Sequence, residues 1–188
     1  MVQIFGIMDL TNPMNELELL LERWANFYLI TSAAAATLIG LLFVVITLAA
    51  ERMPHEDNAK IHIYLTPTVV FLGSILEVAA LLTFPNHTRL TATLCIGLAG
   101  VVGLVYSGSL LIGGVKKRSY YERSDLIAYV VVPFAAYGLL VLGGVLLLHQ
   151  PQRGLTFVAV GMLTLLTLGI RNSWAIAVTV VSTPPRGH

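Results

Sequence analysis

Glu77 offers the most chemistry in this chain because of where it stands. It interrupts the run FLGSILEVAALL. Insertion scales set the cost of a charge at the centre of a spanning helix at about 2.5–3.5 kcal/mol, so such a group must face protein or water rather than lipid. Thr66, Val70, Gly73, Ser74 and Glu77 follow helical i, i+3 and i+4 spacing, which gathers the polar residues on one stripe. A carboxyl group there can hold an ion or a proton. It can equally serve as hydrogen-bonded glue between helices.

A second polar set interrupts the last apolar run, TLLTLGIRNSWAIAVTVV. Thr164, Thr167 and Arg171 share a helical face, which the sequence predicts to point inward, and Asn172 follows. Two registers are open. If the helix enters the membrane at Leu155, Arg171 lies sixteen residues further on, about 24 Å at 1.5 Å per residue. That is near the far boundary of the hydrocarbon, with Trp174 in the aromatic belt, and Arg171 can snorkel. If the helix is centred instead, Arg171 is near mid-membrane and needs a partner, for which Glu77 is the one intramembrane acid. The length of the segment favours the first register.

No other residue pattern suggests catalysis. There is no H-x-x-x-H or H-E-x-x-H pair, no nucleophile elbow, no phosphate loop and no dinucleotide fingerprint. His55, His62, His87 and His149 are scattered, so neither a metal nor a cofactor is expected. Asn86-His87-Thr88 matches a glycosylation sequon and carries little weight. The single cysteine, Cys95, reads as a small packing residue. A net charge of +1 leaves no basic field for nucleic acid.

The elements that must position these groups are membrane spans. The 188 residues are 56% hydrophobic and only 11% charged, against roughly 25% charge in soluble domains. Mean hydropathy is +0.82. The charges cluster between long apolar runs, as in a polytopic helical membrane protein. Five spans are predicted within a single membrane domain covering 1–188, at about 26–50, 62–84, 90–113, 126–148 and 155–182. Pro67 either kinks the second span or begins its helix at Thr66-Pro67, and Pro133 is a kink candidate in the fourth. Ser124 or Asp125 is placed to cap the fourth span.

Residues 12–24 differ from the rest. Asn12-Pro13 reads as a helix start, and Glu16, Glu18 and Glu22 alternate with leucines. An N-terminal amphipathic interfacial helix is expected there. Its acidic face suits a protein partner or a neighbouring copy better than anionic lipid. Small residues mark close helix contacts: Gly97, Gly100 and Gly103 in the third span, Ala36 and Gly40 in the first. These faces fit contacts within one chain and between chains equally well. No basic leader precedes the first apolar run, so that run is expected to direct insertion itself. Arg23, Arg89 and Arg153 lie on one side, and seven Lys and Arg on the other, counted from Arg52 to Arg186. The bias predicts the N-terminus outside and the C-terminus in the cytoplasm.

The run FYLITSAAAATLIGLLFVVITLA resembles the opening span of a group of small bacterial five-span membrane proteins, typified by "LTGLLFVAVS" after a small-residue patch. LGIRNSWAIA is similar to that group's last span, "GIRNAWD". The resemblance covers two of five spans. It implies a compact five-helix fold in a bacterial inner membrane and no particular chemistry. Ala175 stands where the pattern has aspartate, so the resemblance supplies no acidic partner for Arg171. The sequence reading is therefore a small homo-oligomeric channel or permeation protein embedded among membrane lipids. Glu77 would be its selectivity or gating group. The alternative is a non-catalytic accessory or scaffold subunit of a larger membrane complex. An enzyme is not expected, for want of a paired acid, base or nucleophile.

Overall fold

A computed structural model describes residues 13–52, 55–84, 88–116 and 131–182. Among the described residues every element is helical. The order is α1 (Pro13–Arg52), α2 (His55–Thr83), α3 (Arg89–Lys116), α4 (Val132–Leu146) and α5 (Pro151–Ser182). Within these, the stretches Glu16–Ala50, Leu65–Thr83, Arg89–Leu110 and Pro151–Ser182 are long and apolar enough to cross a membrane, and α4 is a shorter apolar helix. The start of the fourth predicted span, its capping residues Ser124 and Asp125, and the sequon residues Asn86 and His87 lie outside the described residues.

Two boundaries differ from the sequence reading. Residues 13–24 are the first turns of α1, not a separate interfacial helix. No proline follows Pro13 and no glycine precedes Gly40 in this stretch, so nothing breaks a 40-residue helix of about 60 Å. Helix α2 starts at His55 and continues through Pro67, which rules out a start at Thr66-Pro67. The missing N–H of Pro67 leaves only the Ile63 carbonyl without its usual partner. Pro133 follows Val131, whose φ of −69° and ψ of −46° are already helical, and the residues before Val131 lie outside the described ones.

Helix α4 is the centre of the packing, pressed between α3 and α5. Glycines allow both approaches. A Cβ on Gly100 would come within 2.7 Å of Val141, and one on Gly103 would overlap the Tyr137 ring. Across the pair, a Cβ on Gly144 would sit 3.0 Å from the Gly97 amide nitrogen. On the other side, a Cβ on Gly161 would lie 2.9 Å from the Ala136 carbonyl oxygen. Gly100 and Gly103 thus lie against α4 within the chain, whereas a Cβ on Gly97 would itself meet nothing within 4 Å. Ala36 and Gly40 behave otherwise: both are exposed, and a Cβ on Gly40 would meet nothing within 4 Å.

The fully buried core gathers Phe71, Leu72 and Ile75 of α2, Tyr137 and Leu140 of α4, and Leu155, Met162 and Leu165 of α5. Its outside is also apolar. Leu98 and Val105 of α3 are 66% and 68% exposed, and Ile30 and Phe43 of α1 are similarly bare. Contiguous apolar surface of this extent is rare on soluble monomers and matches a hydrocarbon surround.

Replacing Gly103 by alanine should lower the thermal midpoint in detergent, at a cost of about 1–3 kcal/mol from overpacking. Gly40→Ala should leave it unchanged or raise it slightly, since alanine is the better helix former. Equal effects at the two sites, read by thermal unfolding of the purified protein, would contradict the close α3–α4 contact.

Candidate functional site

Glu77 lies on the outward face of α2. Thr66, Glu77 and Ala80 are exposed, and Val70 and Gly73 are half-buried. A Cβ on Gly73 would meet nothing within 4 Å, so open space adjoins the carboxylate. The stripe seen in the sequence exists, but it borders the surround instead of the chain's own core. The reason is the opposite face of the helix: Thr68, Phe71, Leu72, Ile75, Val78 and Leu82 bury themselves, and this turns the polar residues out.

Ser74 sits at the edge between the two faces. Its hydroxyl oxygen is 2.9 Å from the Val70 carbonyl oxygen and 2.8 Å from the Tyr137 hydroxyl. Ser74 donates to the carbonyl, which leaves its oxygen to accept the Tyr137 proton. Tyr137 is fully buried, its ring 6.4 Å from that of Phe71 and seated over Gly103. Glu77 stands one helical turn from Ser74 on α2, and Tyr106 one turn from Gly103 on α3, the two residues that hold Tyr137. A carboxylate, a serine and two tyrosines therefore converge where α4 floors the sparse contact between α2 and α3.

The sequence reading missed Tyr106 and Tyr137. The available signal was modest: a tyrosine in an apolar run must satisfy its hydroxyl somewhere, and Ser74 was the polar group already placed on a stripe.

The α5 set separates in space. Leu155, Val158, Met162, Leu165, Gly169, Asn172, Ile176 and Val180 are its buried seam. That seam, spaced by threes and fours, takes the inward position. Thr164 is half-buried, and Thr167 and Arg171 are exposed, so the inward orientation expected for this stripe is corrected. The threonine hydroxyls donate to the Val160 and Leu163 carbonyls at 2.8 Å each. These bonds use the hydroxyl protons within the helix and leave the oxygens as acceptors only.

Leu72 of α2 meets Gly169 of α5, and the two helices run antiparallel. Glu77 therefore stands level with Thr164, about 10 Å along the axis from Arg171. Among the described residues the two charges form no ion pair. Arg171 is exposed beside Trp174, which is 72% exposed.

Asn172 is different. It is fully buried in the α5 seam, and neither its amide oxygen nor its amide nitrogen has a hydrogen-bond partner within the protein. A polar residue in an otherwise apolar seam can select one register at a cost in stability.

At the far end, Arg89 pairs with Glu16 and donates to the Leu148 carbonyl oxygen at 3.4 Å. This ties the start of α1 to the starts of α3 and the α4–α5 turn. Part of the acidic face expected to dock a partner thus meets the chain's own arginine, while Glu18 and Glu22 remain exposed. Cys95 is free and half-buried. Among the described residues no group of His, Cys, Asp and Glu is arranged to hold a metal ion.

Comparison with family models, with curated proteins and with solved structures finds no match to this chain. What the chain does must be argued from its own groups.

Replacing Asn172 with leucine removes two unpartnered polar atoms and keeps the branched shape, with two methyl groups in place of the amide oxygen and nitrogen. The exchange should stabilise the bundle by about 1–3 kcal/mol, read as a higher thermal midpoint in detergent. A lower midpoint would show that the amide is engaged in the folded protein.

Proposed function

We propose that this chain is a five-span helical membrane protein whose copies assemble into a permeation pathway for ions or small solutes. Glu77 lines the path between subunits. The observation that carries this reading is an outward carboxylate, level with the middle of α5, on a surface otherwise fit for hydrocarbon. A charge left there in lipid costs several times RT. A neighbouring subunit and water remove that cost.

Two further features support the reading. The interior of one chain is filled by Phe71, Ile75, Tyr137, Leu140 and Met162, so a path through a single copy has no room. The uncovered Ala36–Gly40 patch on α1 is a small-residue face of the kind that lets a second helix approach closely. The Lys and Arg bias sets the N-terminus outside and the C-terminus in the cytoplasm. The resemblance of the first and last spans points to a bacterial inner membrane.

A second reading has one observation in its favour. Glu18 and Glu22 project from the first turns of α1, an acidic strip that suits docking to a partner in a larger membrane complex. In that case Glu77 receives a polar or cationic side chain from the partner.

Flux from liposomes separates the two. The purified, folded oligomer should release ions or small solutes. Glu77→Gln should slow release by about tenfold or more, equivalent to roughly 1.4 kcal/mol in barrier height, and Glu77→Asp should retain most of it. No flux from a folded oligomer would overturn permeation in favour of the accessory role. Reporter fusions at the two termini test the orientation: activity on the same side at both ends would contradict five spans.

A further inference from the structure

The groove beside Glu77 has a chemistry of its own. Helices α2 and α3 are joined by a short connection, which makes them antiparallel neighbours, yet they touch only sparsely. Tyr137 of α4 closes the floor between them. Its hydroxyl is committed to Ser74 at 2.8 Å, and its ring is covered by Gly103 and Phe71. The floor is therefore satisfied and offers no further charge. What remains open on the walls is the Glu77 carboxylate from α2 and the half-buried Tyr106 ring from α3.

Side chains on a helix lean toward its N-terminus. On antiparallel helices Glu77, one turn beyond Ser74, and Tyr106, one turn beyond Gly103, therefore lean toward each other's level on either side of Tyr137. Gly73 leaves open space next to Glu77. Beside Tyr106 the surface of α3 is apolar, with Val102 and Val105 exposed.

We infer that this α2–α3 groove binds an organic cation with an apolar body, an amine or quaternary onium that partitions into the membrane. The assignment rests on charge complementarity. The groove presents one carboxylate with no cationic partner among the described residues, and an aromatic ring whose face attracts cations. It also opens onto an apolar surround that can accommodate the ligand's hydrocarbon. A metal ion stripped of its water finds too few oxygen ligands here to be held, since hard cations take six or more. The inference deepens the permeation reading by naming the class of permeant, and it rests on Glu77 being a working group.

Equilibrium binding of tetraphenylphosphonium to the full-length protein in detergent is the test. Saturable binding is expected. Glu77→Gln should weaken it by about tenfold or more, while Glu77→Asp preserves it and shows that the carboxylate is what counts. Tyr106→Phe should bind as the native protein does, and Tyr106→Ala should bind several-fold more weakly. Glu16→Gln, remote from the groove, should bind normally. Neutral triphenylphosphine oxide should not compete.

Native affinity in Glu77→Gln, or equal binding of the neutral analogue, would overturn the assignment. The two proposals fail separately. Tetraphenylphosphonium binding without liposome flux would keep the site and remove permeation. Sodium flux without such binding would keep permeation and remove this site.

Discussion

The packing of α4 depends on contacts that no side chain can occupy. Gly100 and Gly103 bring α3 onto one flank, and Gly161 brings α5 onto another. Dispersion attraction falls steeply with distance, and in lipid no hydrophobic force between helices makes up for a gap. Glycine at these positions converts backbone proximity directly into packing energy. Once α3 and α5 are fixed on α4, the remaining helices have little choice. Helix α2 fills the angle beside α5, where Leu72 meets Gly169, and α1 closes over both.

The same arrangement makes the groove. The Tyr137 ring needs room, and Gly103 provides it on the α3 side. Ser74 then supplies the hydroxyl partner from α2. The ring stands between Ser74 of α2 and Gly103 of α3, where those two helices touch only sparsely. Glu77 stands on the rim of the groove because the apolar face of α2 has already claimed the core. Packing decides the position of the carboxylate, and position gives the carboxylate its chemistry.

Much of this was legible in the residues. The all-helical architecture, the apolar spans and the Gly97–Gly103 contact face followed from composition and spacing. Glu77 and Ser74 were placed on one stripe by period alone. What spacing could not settle is which way a stripe faces when both sides of a helix are apolar or small. Thr164, Thr167 and Arg171 illustrate this: the opposite seam, from Leu155 to Val180, is the more continuous, and it turned the threonines outward. Tyr137 was not legible as part of the site, because its relation to Ser74 spans 63 positions in sequence. The unbroken α1 was hidden by the change from mixed charge to apolar composition near Trp24. That change alters the surroundings of the helix without interrupting its backbone bonds.

That continuity has a mechanical consequence. A helix without a hinge transmits rotation along its whole length. The buried seam of Leu17, Tyr28, Ala35, Leu42 and Ala49, packed on α2 and α5, fixes the angle of α1 about its own axis, and the Glu16–Arg89 pair lies at its end. The same angle sets the compass bearing of Ala36 and Gly40, about 30 Å or more further along. The seam that packs one side of α1 thereby aims a small-residue face on the other side. The chain presents that face in one direction to whatever lies beside it.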